Sequence, residues 1–393
     1  KNMEVGGGLD SHEDRNYPGF WHNIHSVFHR GLMMLPWYKD LELENFGIHY
    51  YRPDPGVVHH FSDKTYLGWF ADVKRTAATI ERFSKKDAAS FMDLWTRWQP
   101  VVQKIVFPET YAVPVPFEEK RPLLEKTEEG REYLKYFEST PEEFVLQHFE
   151  HPRVRAFIGF LGVMRGYELD APKTGYLIPA MIAWGVNPQL CRGTSHALGD
   201  NLAHMMSHNH VDYIEANGVE RILVEKDRAT AVVLEDGTVI KARKFIASNV
   251  NPVETFIKLV GRENLEAKFA ELAANFRFSK TTPIFAVNLA LNERPKYITE
   301  EKHPEVAGSF MHIVGLEEYQ DLVDLFEDCR TGQLPRKPFM NGATPSFHDP
   351  TQAPPGKATA FMWQLATYNL LGNPLNWDKV RDEWLQKQLA VWR

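Results

Sequence analysis

The sequence predicts an α/β fold carrying α+β insertions, and three observations predict it. The chain opens on Glu4-Val5-Gly6-Gly7-Gly8-Leu9, a glycine run that lets a backbone take positive φ and approach a ligand closely. Val219-Glu220-Arg221-Ile222-Leu223-Val224 reads as a strand and leads into a meander turned at Asp236-Gly237. Phe245-Ile246-Ala247 is a continuous apolar run of the buried-strand kind, ending at Ser248-Asn249. A glycine turn of this type usually follows a strand and faces a phosphate. Here that strand would lie before Lys1, so the expectation is an internal segment of a larger dinucleotide-binding protein.

Between the glycine run and the meander, the elements follow one another with recognisable signals. Tyr17-Pro18-Gly19-Phe20 is a turn, and Ile48-His49-Tyr50-Tyr51 is strand-like. The alternation from Phe61 to Phe70 around Asp63-Lys64 predicts a hairpin. Asp72 is placed to cap a helix over Val73 to Phe83, and Ser84 to cap one running through Trp98, with Asp87 three residues on. Residues 107–122 hold Pro108, Pro114, Pro116 and Pro122 without a helical period and are expected as a loop. Thr140-Pro141-Glu142-Glu143 opens another helix, and Val154 to Val163 follows Pro152. Gly193 opens a helix to Asn209, after which Val211 to Ile214 joins the meander as a short strand. A helix is expected from Asn251-Pro252 to Leu259, with strands at Ile284 to Leu291, Phe310 to Val314 and Ala358 to Leu365. Trp377 to Trp392 is a helix that meets Arg393 without a cap, which predicts a second cut end.

Composition narrows the function classes. A chain of 393 residues with 43% apolar and 25% charged residues is an ordinary globular protein with ample core. A net charge of -7 argues against a nucleic-acid surface, which needs clustered Lys and Arg. Cys191 and Cys329 make neither a disulfide framework nor zinc spacing, which predicts a reducing, cytoplasmic setting. No apolar run approaches the roughly 20 residues of a membrane span. Aromatic residues at 12% point to apolar cavities as well as core.

The block from Gly193 through Asp236-Gly237 to Ala247-Ser248-Asn249-Val250-Asn251-Pro252 resembles the phytoene-desaturase-like branch of the FAD-dependent amine-oxidase superfamily. Val5-Gly6-Gly7, Pro18-Gly19-Phe20, Leu41-Glu42-Leu43-Glu44, Arg82-Phe83-Ser84, His348-Asp349-Pro350 and Ala353-Pro354-Pro355-Gly356-Lys357 are similar to that branch in the same order. The resemblance implies a Rossmann-like FAD/NAD(P)-binding domain, here truncated. Residues 1–35 and 194–260 would form the FAD-binding part, and 36–193 with 261–393 an interleaved substrate part of antiparallel sheet and helices. The family's G-x-G-x-x-G and ribose-binding acid would precede Lys1, and its second flavin segment would follow Arg393. The chain alone is therefore expected to bind FAD poorly and to be inactive.

By the same resemblance, Gly6, Gly7 and Gly8 line the phosphate side of FAD. Val219 meets adenine through its backbone, and Ser248 ends the returning strand. His25 and Ser26 lie near the flavin ring, which makes His25 the candidate acid or base and Ser26 a cofactor contact. His22, His25 and His29 have a spacing that could hold a metal on a helix. Pro18-Gly19 argues against a long helix there, and no acid completes a ligand set, so no metal is expected. His204, His208 and His210 are expected to be structural, and His59-His60 to be a loop pair.

The implied activity is hydride transfer between flavin and a hydrophobic, isoprenoid or carotenoid-like substrate. An amine-oxidase-like, carotenoid-ketolase-like or retinol-saturase-like relative with another substrate stays open, as does a non-catalytic scaffold. A lipid-partitioning substrate further predicts peripheral membrane contact through a subset of Phe91, Trp95, Trp98, Phe157, Phe160 and Trp184.

Overall fold

The computed structural model describes residues 5–277 and 283–393. In chain order the strands are β1 (Ser11–Glu13), β2 (Trp21–Asn23), β3 (His29–Arg30), β4 (Tyr50–Tyr51), β5 (Val57–His60), β6 (Tyr66–Trp69), β7 (Pro188–Cys191), β8 (Val219–Glu225), β9 (Arg228–Leu234), β10 (Val239–Lys241), β11 (Ile284–Leu291), β12 (Met311–Val314), β13 (Met340–Ala343) and β14 (Ala358–Leu365). The chain divides into two compact units, Lys1–Gly8 with Leu198–Ser279 and Leu9–Ala197 with Lys280–Arg393. Residues 9–35, expected with the nucleotide-binding part, cluster instead with the larger unit. β1 and β2 pair antiparallel there, and β3 pairs with β7.

The larger unit is built on a six-stranded mixed sheet in the order β11-β14-β13-β12-β5-β6. Within it β12 and β5 run parallel, with Met311 opposite Val57, and the other neighbours are antiparallel. β5, β12 and β13 are buried along their whole length, which is why they carry few alternating polar residues. Helices Lys85–Val101, Pro152–Val163, Leu177–Trp184 and Tyr319–Thr331 supply much of the rest of the apolar core. Phe91, Trp98, Phe157 and Phe160 are buried in it, so these four are core and do not belong to the membrane-facing subset expected among the six aromatics. Trp95 and Trp184 are half-buried and pack against the same core.

Local signals explain most helix starts. Asp72 accepts from the Lys74 amide and Ser84 from the Asp87 amide, as their positions predict. Thr140 and Glu143 form a reciprocal capping box at 3.1 and 2.9 Å. The proline-rich stretch is not wholly a loop: Phe117–Leu124 is a helix entered directly after Pro116. The turn Val102–Val106 before it is widened to π geometry. Pro108 donates no amide hydrogen and its ring crowds the carbonyl four residues back, a strain a widened turn relieves.

The smaller unit is an antiparallel meander in the order β10-β9-β8, with helices His196–His208, Val253–Gly261 (π geometry) and Ala267–Ala274. Gly237 takes φ +85 in the Asp236-Gly237 turn, and Asp236 Oδ1 accepts from the Thr238 amide at 2.9 Å. Two expected strands are absent. Val211 to Ile214 is exposed coil, and Phe245 to Ala247 is coil with Phe245 77% exposed. β10 ends at Lys241 and pairs with β9, and among the described residues no strand lies alongside 245–247 to complete a ladder.

Candidate functional site

In the smaller unit, the glycine run forms a turn followed by a short 3-10 segment, Gly7–Leu9. Gly6 and Gly7 take φ 130 and 53, conformations that strain any residue with a Cβ. A Cβ built on Gly7 or Gly8 would meet nothing within 4 Å, so this backbone is open to a ligand on its side-chain side. Beneath it, Gly199 of the helix His196–His208 lets the turn sit close. A Cβ there would lie 3.0 Å from the Gly6 Cα and 3.5 Å from the Val5 carbonyl oxygen. The result is a cradle of bare backbone resting on a helix, which suits a phosphate group.

Val219 opens β8 opposite Leu234 and is 40% exposed, leaving an edge available. The Ser248 hydroxyl is bonded to Thr255 Oγ1 at 2.7 Å, and Thr255 Oγ1 donates to the Val250 carbonyl. Asn251 Oδ1 accepts from the Glu254 amide at 3.0 Å. The Ala-Ser-Asn-Val-Asn-Pro segment is thus a brace that docks residues 248–251 on the helix Val253–Gly261. Gly6, Gly7, Gly8, Val219 and Ser248 all fall in this unit.

His25 and Ser26 belong to the larger unit, on the loop between β2 and β3, where His25 is exposed and Ser26 half-buried. His22, His25 and His29 lie on β2, the loop and β3, so helical spacing never brings them to one face. His22 Nε2 bonds Asp14 Oδ2 at 3.3 Å; burial lowers its pKa, and the carboxylate opposes that. His29 Nδ1 meets the Tyr50 hydroxyl at 2.6 Å, and burial pushes its pKa down to about 4. Among the described residues, no three His, Cys, Asp or Glu side chains are grouped to hold a metal.

A buried polar network that sequence reasoning did not assign surrounds the entry to the helix His196–His208. Asp349 is fully buried, and its Oδ2 accepts from the Gly193 amide at 2.7 Å and from Gln352 Nε2 at 3.1 Å. Its Oδ1 accepts from Thr351 Oγ1 at 2.7 Å. Gln352 Oε1 accepts from Asn23 Nδ2, and Asn23 Oδ1 accepts from the Ser195 amide at 2.8 Å and Ser11 Oγ at 2.9 Å. Nearby, Gly19 leaves room for Pro354, whose Cγ would sit 2.9 Å from a Cβ at that glycine. The separated motifs Pro18-Gly19-Phe20, Gly193 to Ser195, His348-Asp349-Pro350 and Ala353-Pro354 therefore meet in one place. Their co-occurrence in the sequence was the available signal; their roles needed the tertiary structure.

His59 and His60 correct their expectation. Both lie in β5, between β12 and the edge strand β6, and are buried, His59 against Phe61 and Phe157 and His60 under Tyr297. His60 bonds Thr299 Oγ1 and His312 Nδ1, each at 2.9 Å, and Tyr297 stacks on His312 at 3.9 Å.

No protein-family model matches the chain. A limonene dehydrogenase subunit of Castellaniella defragrans is 28% identical over 378 residues, covering 93% of this chain and 68% of that protein. Pyridine nucleotide-disulfide oxidoreductase domain-containing protein 2 of Mus musculus is 25% identical over 380 residues, covering 85% of this chain and 63% of its own length. The chain thus spans about two thirds of the length of these curated relatives. Among solved structures, an oxidoreductase from Methanosarcina mazei superposes with TM-score 0.59 at 14% identity, covering 96% of this chain and 74% of its own. A putrescine oxidase superposes with TM-score 0.59 at 10% identity, covering 100% of this chain and 73% of that one. The fold is shared with these oxidoreductases.

Proposed function

We propose that the chain is the cofactor- and substrate-holding part of an FAD-dependent oxidoreductase of the dehydrogenase or desaturase type, acting on a hydrophobic, isoprenoid-like substrate. The observation that carries this reading is the bare-backbone cradle at Gly6 to Gly8, seated on Gly199. Its open side and positive φ values fit the diphosphate of a dinucleotide, which needs amide donors and no intervening side chains. In this reading the Val219 backbone receives the adenine, and Ser248, held in place through Thr255, lies at the cofactor. His25 and Ser26 are assigned to the flavin ring. Bound FAD supplies the hydride acceptor or donor. The chain's own residues bind, orient and exclude water, and the Asp349–Asn23 network keeps Gly193 to Ser195 fixed while they do so.

The relatives' names support the reaction class, and limonene, a terpene hydrocarbon, supports an apolar substrate. A carotenoid-like chain is the longer version of the same chemistry. The test is FAD titration of the purified full-length protein by flavin fluorescence, followed by anaerobic addition of terpene hydrocarbons of increasing length. Saturable FAD binding and bleaching of the bound flavin by one of them are expected. Absence of FAD binding sinks the proposal.

A further inference from the structure

Two arginines of the larger unit converge where β3, β7 and the ends of two helices meet. Arg30 lies on β3 opposite Pro188, and its Nη1 donates to the Met164 carbonyl at 3.0 Å, just past the helix Pro152–Val163. Arg165 follows Met164, and its Nη2 donates to the carbonyl of Gly185, the C-cap of the helix Leu177–Trp184. The Arg165 charge acts on Arg30, and the Tyr167 hydroxyl lies against Arg165. Burial, with Arg165 adding to it, lowers the Arg30 pKa to about 10, so it stays protonated at neutral pH.

What is missing is a counter-charge. No carboxylate among the described residues forms an ion pair with either arginine. Arg30 Nε is sealed from solvent and has no hydrogen-bond partner. Two helix C-termini offset part of the repulsion through their dipoles, but a carbonyl carries only a partial charge. Two half-buried guanidinium groups brought to one corner of the fold without an anion repel each other, and planar guanidinium forks are suited to carboxylate or phosphate oxygens. Apolar rings stand beside them. Phe28 lies 5.1 Å from the Arg30 guanidinium. Trp184, whose Nε1 would be 3.4 Å from a Cβ on Gly31, packs against Phe107.

We propose that Arg30 and Arg165 receive the oxyanion head, carboxylate or phosphate, of an amphipathic substrate whose apolar part lies along Phe28, Trp184 and Phe107. Calling the ligand a substrate rests on the oxidoreductase reading; the anion site itself does not. The substrate class extends from a terpene hydrocarbon to an isoprenoid or fatty chain bearing a terminal acid.

The test is thermal unfolding of the full-length, FAD-supplemented protein with sodium decanoate, inorganic pyrophosphate or neutral decanol, with FAD binding followed by flavin fluorescence in the same samples. One anion is expected to raise the midpoint above decanol, decanoate marking a carboxylate head and pyrophosphate a phosphate head. In Arg30→Gln and Arg165→Gln the apparent affinity for that anion should fall by about tenfold or more. Should either Gln variant fail to fold, Arg30→Lys and Arg165→Lys keep the charge and lose the fork, and weaker anion binding with an unchanged anion-free midpoint is then expected. Equal response to anion and alcohol, or Gln variants that lower the midpoint while keeping the anion shift, would mean that the arginines only cap helices and would overturn the inference. Loss of FAD binding in the wild type sinks the oxidoreductase reading instead, so the two failures separate.

Discussion

At the scale of single residues, the buried histidines make the most direct prediction. Burial pushes His59 and His60 down to about 3, and His312 is driven well below its ordinary value by burial and then by His60. Arg153 faces His59, and Arg294 and His348 add positive charge around His312, all opposing protonation. Unfolded histidines titrate near ~6.5, so between that value and about 3 the unfolded chain binds protons that the folded one refuses. Stability is therefore full above pH ~6.5 and falls as pH drops, by about 1.4 kcal/mol per pH unit for each such group. Urea unfolding at pH 7 and pH 5 should show this slope, and His312→Gln should reduce it; a flat profile in the wild type would contradict it. A second prediction concerns Asp349, whose oxygens accept from Gly193, Thr351 and Gln352. Asp349→Asn turns one acceptor into a donor facing donors, at a cost of about 1–3 kcal/mol. The loss should appear as a lower urea midpoint with an unchanged m-value. An unaltered midpoint would show that the network is not structural.

At the scale of elements, Gly199 and Gly8 can be set against each other. Gly199→Val places a side chain against the Gly6 backbone and should lift the glycine turn off the helix His196–His208. Gly8→Ala meets nothing within 4 Å and has no positive φ to strain, so its stability should stay within about 0.5 kcal/mol of wild type. Both should weaken FAD binding, Gly8→Ala without a change in midpoint. If Gly8→Ala binds FAD normally, the open side of the turn is not the phosphate side. Another element offers lipid contact in place of the buried aromatics: the segment before the helix Phe117–Leu124 exposes Tyr111, Val113 and Val115 at 47%, 85% and 55%. If it dips into a bilayer, Val113→Asp with Val115→Asp should abolish liposome flotation. Flotation that survives this change would place the contact elsewhere. Elements were legible in the sequence wherever the signal is local. Asp72, Ser84 and Thr140 mark their helices, and Asp236-Gly237 marks its turn. β13 was missed because Met340-Asn341-Gly342-Ala343 neither alternates nor carries β-branched residues. Phe245 to Ala247 was misread because apolar runs signal burial only where a neighbouring strand exists to pair with. The glycine cradle was legible, whereas the Asp349 network and the Arg30–Arg165 pair join residues far apart in the chain and leave no periodic trace.

At the scale of the whole molecule, the two units differ in how much they bury, and that difference should govern how the protein unfolds. Among the described residues of the smaller unit, the buried apolar side chains are Leu198, Ile222, Ala231, Val233, Leu234, Ala270 and Ala273, mostly small or medium in size. Leu272, Phe245 and Val239 remain exposed there at 70%, 77% and 51%. The larger unit instead buries Trp98, Trp384, Phe91, Phe144, Phe157, Phe310 and Phe361, each worth about 1.5–3 kcal/mol or more of transfer free energy. Stability within a chain follows such local burial, so the meander β8–β10 belongs to the low-stability end. Hydrogen exchange should therefore be faster in residues 219–241 than in β12–β14, and limited proteolysis should cut first between residues 210 and 250. A ligand that binds only the folded state stabilises it by mass action, so FAD should slow both processes in the smaller unit first. Anionic amphiphiles at Arg30 and Arg165 should act instead on the larger unit. FAD binding that leaves exchange in residues 219–241 unchanged would contradict the assignment of the glycine cradle to the cofactor.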